Sequence, residues 1–333
     1  MTIRTLSALC SLAALCLLPA ASFAQNRITL DVAVSVAGKP VPGLAATDFT
    51  VTDNKKPVQN LSLEPAGETN IVLVLDTQDS KLADGPNIVR DLRTYFARNG
   101  GKLAHPHSVV LWGMSGLQAT EAPTTDGAKI IAFLDKANTT QTSGVPESAG
   151  GAGDLQRLNN AMLAFTNVIN GYTRNGGRNM LIWVGRSWPI PDTPPGLEPK
   201  SEDTVFQQIV AKSNALRAFR VIVYSADPTA VADSKYQLTR WKGYVKPPTS
   251  SKGIEIGDLA LEAMAVQSGG QVFNAISNLV EELDRCVVDA DDFYTISFDP
   301  TPAAKPNEYH PLTVSVTKPG VTVHTRNGYY AKP

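Results

Sequence analysis

The chain has few cysteines, histidines and aromatic residues, and these shortages exclude several classes of protein. Of its 333 residues, three are cysteines, four are histidines and 7% are aromatic. Two of the cysteines, Cys10 and Cys16, lie close to the amino terminus, so no disulfide framework of a small secreted scaffold can form. Because 30 Lys and Arg balance 31 Asp and Glu, the chain also lacks the basic excess that binds nucleic acids or anionic membranes.

Long apolar runs are missing too, apart from one near the beginning. Residues 1–24 have the pattern of a secretory signal, with Arg4 as the positive region and an apolar run over 6–18 that is too short to span a bilayer. Small residues precede an expected cleavage after Ala24. We therefore expect an exported protein, periplasmic or extracellular, whose mature chain has no membrane span and keeps one cysteine, Cys286, as a buried thiol.

The middle of the chain alternates between apolar runs and helical patterns. Four continuous apolar runs are typical of parallel strands covered on both faces: 71–75, 109–112, 180–184 and 221–224. Segments with helical periodicity lie between and after them, near 85–98, 126–137, 154–170, 201–218, 257–268 and 275–289. This alternation predicts a doubly wound, mostly parallel α/β sheet.

Both ends of the chain have the period-two pattern of half-buried strands. At the amino end it covers Ile28 to Val36, and at the carboxyl end it includes Tyr294, Ile296 and Phe298. The amino-terminal strands are too few to close a sandwich alone, so we expect them to pair with the carboxyl-terminal strands across an inserted domain. Two separate β units are the alternative. The predicted division is a signal at 1–24, a β segment at 25–66, an α/β domain at 67–290 and a β segment at 291–333.

Several segments resemble one family. Asp76-Thr77-Gln78-Asp79-Ser80 follows the first apolar strand and resembles the metal-binding loop of von Willebrand factor type A (VWA) domains. Other segments resemble the VWA-related proteins typical of acidobacteria: 38–44, 48–49, 53–57, 177–184, 310–316, 319–320 and 326–330. The resemblance covers about 27–330. It implies a Rossmann-like VWA domain framed by a small immunoglobulin-like β-sandwich, with a partner bound at the carboxyl edge of the sheet.

The resemblance also implies a site for a divalent metal ion, built from three loops. In metal-binding members the first loop reads Asp-x-Ser-x-Ser. This chain keeps Asp76 and Ser80, but Gln78 replaces the first serine. Asp76, Ser80 and Gln78 are therefore the candidate ligands for Mg²⁺ or Ca²⁺, both of which prefer oxygen donors.

The other two loops lack the family's ligands. Where metal-binding members have a threonine after a glycine pair, this chain has Ala152, and where they have Thr-Asp-Gly it reads Val184-Gly185-Arg186. The positive charge of Arg186 would oppose a cation nearby. We therefore expect a degenerate metal site without a cofactor, in which Asp76 hydrogen-bonds to neighbouring loops.

No complete catalytic motif is present. Gly113-Met114-Ser115-Gly116 resembles a nucleophile elbow, but Leu117 stands where Gly-x-Ser-x-Gly requires the last glycine. His105 and His107 have no Cys or Glu nearby to complete a metal set, so a turn is the better interpretation.

We therefore expect a non-enzymatic interaction or adhesion module that recognises a protein or cell-envelope partner. The candidate partner-binding residues lie at the carboxyl edge: Asp79, Gly153, Arg186, Ser187 and Trp188. One alternative is a binding protein that depends on Mg²⁺ or Ca²⁺ held by Asp76 and Ser80. A more remote alternative is a hydrolase that uses Ser115.

Overall fold

The computed structural model describes most of the chain after the predicted signal. The described stretches are 27–64, 67–78, 84–113, 115–137, 150–173, 177–190, 199–230, 238–274, 278–291 and 293–332. The predicted signal at 1–24 lies outside them, as do Asp79 and Ser80.

The described stretches contain both strands and helices. The strands are β1 (Ile28–Val36), β2 (Lys39–Pro40), β3 (Phe49–Asp53), β4 (Lys56–Pro57), β5 (Ser62–Glu64), β6 (Thr69–Asp76), β7 (Lys102–Gly113), β8 (Gly116–Ala119), β9 (Thr124–Asp126), β10 (Arg178–Val184), β11 (Val221–Ala226), β12 (Val272–Phe273), β13 (Phe293–Phe298), β14 (Glu308–Val316), β15 (Thr322–His324) and β16 (Gly328–Ala331). The α-helices are α1 (Asp84–Ala97), α2 (Gly127–Lys136), α3 (Gly150–Tyr172), α4 (Pro199–Ala218), α5 (Leu261–Ser268) and α6 (Leu279–Val287). Among these helices, none is both long and apolar enough to cross a membrane.

Seven strands form the main sheet, and the prediction of a mostly parallel α/β sheet is confirmed. Their order is β12-β11-β10-β6-β7-β8, with β9 pairing with β7. The strands from β12 to β7 run parallel, and β8 and β9 are antiparallel to β7. The four apolar runs in the sequence are β6, β7, β10 and β11.

Helices cover both faces of this sheet, which explains why its strands are apolar throughout. Side chains such as Val72 and Val74 share a buried cluster with residues of α3, α4 and α5. Their neighbours Ile71, Leu73 and Leu75 share a second cluster with residues of α1, α2 and α6. Alternate side chains of one strand therefore enter two separate cores.

The two ends of the chain pair with each other. Strand β1 runs antiparallel to β13, and β3 runs antiparallel to β14. The strands form two small sheets, one in the order β15-β1-β13-β5 with β2 on β1, the other in the order β16-β14-β3-β4. Apolar side chains from both sheets share one cluster that includes Leu30, Val51, Ile296 and Leu312. The immunoglobulin-like character of this β unit stays a prediction, as do the domain boundaries.

A buried carboxylate connects the main sheet to the β unit. Asp289 accepts hydrogen bonds from the Tyr224 hydroxyl of β11 (2.7 Å) and from Nε2 of Gln271 (3.0 Å). Its Oδ2 also lies 2.9 Å from Nδ1 of His324 in β15. Burial alone would raise the pKa of Asp289, but these hydrogen bonds and the His324 charge hold that pKa below its ordinary value. The carboxylate therefore binds groups from both units.

Two arginines strengthen the same junction. The buried guanidinium of Arg178 lies 4.4 Å from the centre of the Phe293 ring, and its Nη1 donates to the Asp289 carbonyl. On the neighbouring strand end, Arg220 forms an ion pair with Asp31 of β1. Because each of these contacts joins residues that are far apart in sequence, the junction depends on the whole chain being folded.

We predict that Asp289→Ala lowers the free energy of unfolding by about 2–4 kcal/mol, because the buried Tyr224 hydroxyl and the half-buried Gln271 and His324 side chains lose their acceptor. Urea denaturation of the wild type and the variant measures this difference. Asp203→Ala, on the exposed surface of α4, is the matched control and should change stability by less than about 0.5 kcal/mol. Equal effects of the two substitutions would contradict the proposed importance of the junction.

Candidate functional site

The carboxyl edge of the main sheet brings together three segments that follow parallel strands. Asp76 ends β6, Gly185 follows β10 and Asp227 follows β11. The register aligns these positions, since Val184 pairs with both Leu75 and Ala226. Parallel sheets usually bind ligands at this edge. The sequence-based expectation placed the candidate metal and partner sites at the same edge.

Both carboxylate oxygens of Asp76 bind protein groups. Its Oδ2 accepts a hydrogen bond from the indole Nε1 of Trp183 (3.1 Å), and its Oδ1 accepts one from the backbone N–H of Gln78 (2.9 Å). Only 1% of Asp76 is exposed. The Gln78 bond closes a turn within the first loop, whereas the Trp183 bond ties that loop to β10. The sequence does not show the Trp183 contact, because Trp183 lies in an apolar run that predicts only a core residue.

Gly185 lies so close to Asp76 that no other residue fits there without movement. A Cβ atom at position 185 would lie 2.8 Å from Cβ of Asp76 and 3.1 Å from its carbonyl oxygen. Gly185 also has a φ of +149°, which side chains rarely adopt. An aspartate here, as in metal-binding members of the resembled family, would require the ends of β6 and β10 to separate. The close packing of Gly185 on Asp76 therefore leaves no room for a ligand side chain at position 185.

Trp188 lies in the core of this structure, and its expected contact with a partner stays a prediction. Only 2% of this residue is exposed. Its ring packs edge-on against Phe165 and Trp183, with 5.4 Å between ring centres in each pair. A tryptophan beside loop residues suggested an exposed anchor, but the chain turns back over α3 directly after β10 and buries the ring.

The remaining candidate residues differ in accessibility. Gly153 is buried in the first turns of α3, and its expected contact with a partner stays a prediction. Arg186 is half-buried at the strand end. The hydroxyl of half-buried Ser187 hydrogen-bonds to the side chain of Glu262 in α5. Asp79 lies outside the described residues, so its role stays a prediction.

Two buried glutamates near this edge were not identified from the sequence. Within the described stretches, the Oε2 atom of Glu262 and both side-chain oxygens of Glu282 are buried and have no hydrogen-bond partner. Burial raises the pKa of Glu262, with a contribution from Asp227. Burial raises the pKa of Glu282 to about 8; Asp227 adds to this shift and Arg285 opposes it. At neutral pH, Glu282 is therefore mostly protonated.

Helical spacing could have identified Glu282. It lies three residues after Leu279 and four before Cys286, so all three occupy one face of α6. That face is buried, and Cys286 is the buried thiol that the sequence predicts. The residue type argues against burial, because glutamate is rarely buried without a partner.

Among the residues that the structure describes, no group of three or more His, Cys, Asp or Glu side chains is placed to hold a metal ion. Asp76 and Gln78 are described, but Ser80 is not. Binding of Mg²⁺ or Ca²⁺ at the first loop, and its absence, therefore stay predictions.

We predict that Glu282→Gln flattens the pH dependence of stability. The pKa of Glu282 is about 8 in the folded protein and about 4.5 when unperturbed, so its protonated form favours folding. The contribution of Glu282 to the free energy of unfolding is complete below about pH 4.5. It falls by about 1.4 kcal/mol per pH unit as the pH rises towards 8. Urea denaturation from pH 5 to 9 should therefore show that the variant becomes more stable relative to the wild type as the pH rises. The exposed neighbour Glu281→Gln is the control, and an equal gain there would contradict this assignment.

Comparisons with known proteins find structural neighbours only. No protein-family model and no curated protein matches the sequence. One similar structure is the human COPII-coat protein Sec24c, with a TM-score of 0.38 and 11% identity over 79% of this chain and 44% of that chain. This chain therefore spans less than half the length of the coat protein. Another is the VWA domain of SpRpn10, with a TM-score of 0.23 and 11% identity over 48% of this chain and 74% of that domain. A VWA domain is thus among the structures that this chain resembles, and scores this low carry no argument about function.

Proposed function

We propose that this protein is an exported, non-enzymatic binding module related to the VWA-related proteins of acidobacteria. It holds a protein or cell-envelope partner at the carboxyl edge of its main sheet, without a bound metal. The observation that carries this proposal is the set of contacts made by Asp76. Its two carboxylate oxygens accept hydrogen bonds from Trp183 and Gln78, and Gly185 packs against it.

A metal ion at Asp76 would have to share carboxylate oxygens that already accept hydrogen bonds. Oδ1 accepts from the backbone N–H of Gln78, and Oδ2 accepts from the buried indole of Trp183. Both hydrogen bonds would weaken as the cation drew on the same oxygens, and the positive charge of Arg186 follows at the same edge. Since neither of the other two loops offers a ligand at the family positions, little would offset this cost. The metal-dependent alternative is therefore weaker than the metal-free one.

A partner would contact a set of half-buried side chains on the segment after β10 and on the 240–244 turn, which we call the edge surface: Arg186, Ile190, Trp241 and Tyr244. The Nη1 atom of Arg240 donates to the Ile190 carbonyl (2.8 Å) and so holds the loop after β10 against the 240–244 turn. Arginine, tryptophan and tyrosine are the residues most enriched among the energetic centres of protein interfaces.

The position of Ser115 supports a non-enzymatic role. A nucleophile elbow places its serine in a tight turn between a strand and a helix. Ser115 instead lies in the turn between the antiparallel strands β7 and β8, where it is exposed. The remote hydrolase alternative therefore lacks the structural context that its motif requires.

We predict that the melting temperature is the same in Mg²⁺, in Mn²⁺ and in EDTA, to within about 1 °C. We also expect Asp76→Ala to cost about 1–3 kcal/mol in every one of these solutions, because Trp183 loses its acceptor whether or not metal is present. Thermal denaturation measures both effects. If EDTA lowers the wild-type melting temperature by several degrees and has no effect on Asp76→Ala, the protein binds metal at this residue.

We predict that Arg186→Glu and Trp241→Ala each abolish capture of the partner at the edge surface. The assay is crosslinked capture from native envelope material with the purified protein as bait. Lys39→Glu, at an exposed position of strand β2 in the β unit, is the control and should capture normally. If both edge variants fold, as judged by melting, and still capture the same partner, the proposed surface is wrong.

A further inference from the structure

A second candidate site lies at the opposite, amino edge of the main sheet. Here the ends of α1 and α6 and the beginning of β7 enclose a pocket of about 350 Å³. This volume lies within the range of small-ligand sites. The residues that line it and matter for its chemistry are Tyr95, Arg98, Asn99, Lys102, His107 and Asp284.

The charges around this pocket largely cancel. Arg98 donates from Nη1 to both oxygens of Asp284 (2.7 and 2.8 Å). Nε2 of His105, which also lines the pocket, lies 2.7 Å from a carboxylate oxygen of Asp291. Lys102 adds one positive charge, but the carboxyl ends of α1 and α6 point their negative dipole ends towards this edge. A site balanced in this way favours a neutral ligand over an anion or a cation.

The pocket nevertheless offers both donors and acceptors. In the part of the chain that the structure describes, Nε and Nη2 of Arg98 donate to no other residue, and the Arg98 side chain is 47% exposed. Each oxygen of Asp284 accepts one bond from Arg98 and retains capacity for another. Asn99 adds an amide. A hydroxyl group both donates and accepts, so adjacent hydroxyls match such a wall.

His107 adds a neutral, aromatic side to the pocket. Its Nδ1 lies 2.8 Å from the carbonyl oxygen of His105, and because a carbonyl only accepts, Nδ1 carries the proton. Its Nε2 is therefore an acceptor, and this buried atom has no hydrogen-bond partner among the residues that the structure describes. Burial lowers the pKa of His107 to about 4, so the ring is uncharged at neutral pH. The Tyr95 ring packs against it, with 6.2 Å between ring centres.

We propose that this pocket binds a neutral pyranose sugar, with hydroxyls bridging Arg98 and Asp284 and a C–H face against Tyr95. The polar pairs supply orientation, and the Leu103 and Val287 side chains supply the apolar part of the wall. The pocket lies at the edge opposite Asp76, so this proposal stands or falls independently of the edge surface.

Saturation-transfer NMR of the purified protein tests the proposal, with glucose, galactose, mannose and N-acetylglucosamine as probes. We expect at least one sugar to bind with a dissociation constant of about 1 mM or lower. Asp284→Asn should weaken that binding at least about ten-fold, since it removes a charged acceptor. Asp135→Asn is the matched control, because Asp135 forms an equally exposed pair with Arg93 outside the pocket. It should leave the binding unchanged.

Three results would overturn the proposal. The first is no transfer to any of the four sugars at about 10 mM, well above the expected dissociation constant. The second is binding that Asp284→Asn leaves intact, or that Asp135→Asn weakens equally. The third is tighter binding of benzoate than of every sugar, which would show that the pocket selects an anion. Equal melting temperatures of the two variants exclude misfolding as a cause of any loss.

Discussion

Burial of the main sheet on both faces is the constraint on which the rest of this structure depends. Helices cover each face, so a polar side chain in the middle of a strand would have no solvent and few partners. The polar and charged side chains that could form a site therefore lie at the two edges where strands begin and end. Asp76, Asp227 and Glu262 lie near one edge, and Arg98 and His105 lie near the other.

The two edges use their charges differently. At the carboxyl edge, the carboxylates lie inside the protein. Asp76 accepts hydrogen bonds from a backbone N–H and an indole, and Glu282 has no hydrogen-bond partner in the described part of the chain. At the amino edge, the charged pair of Arg98 and Asp284 stays half-exposed and keeps hydrogen-bonding capacity. The first arrangement stabilises the ends of strands, and the second leaves groups that can contact a small molecule. This difference is why we separate a partner surface at one edge from a ligand pocket at the other.

The sequence predicts the α/β core well, because hydrophobic periodicity reports burial directly. The four apolar runs form β6, β7, β10 and β11, and the helical patterns match the six α-helices of the described stretches within a few residues. It predicts the candidate site less well, because site chemistry depends on contacts across the fold. Nothing local in the sequence shows that Trp183 donates to Asp76, or that the chain folds Trp188 into the core. Glu282 is an intermediate case, since its position on the apolar face of α6 was visible in the spacing.

The pairing of the two chain ends has a consequence for how the protein folds. Arg27 hydrogen-bonds to Ser297, 270 residues away, and strands β1 and β3 pair with β13 and β14 from the other end of the chain. Contacts between such distant residues form slowly, since a long loop must close first. Until the last strands are synthesised, the first strands expose unpaired edges, which are prone to aggregate. A chain truncated before β13 would therefore lose the partners of its first strands and expose their apolar faces.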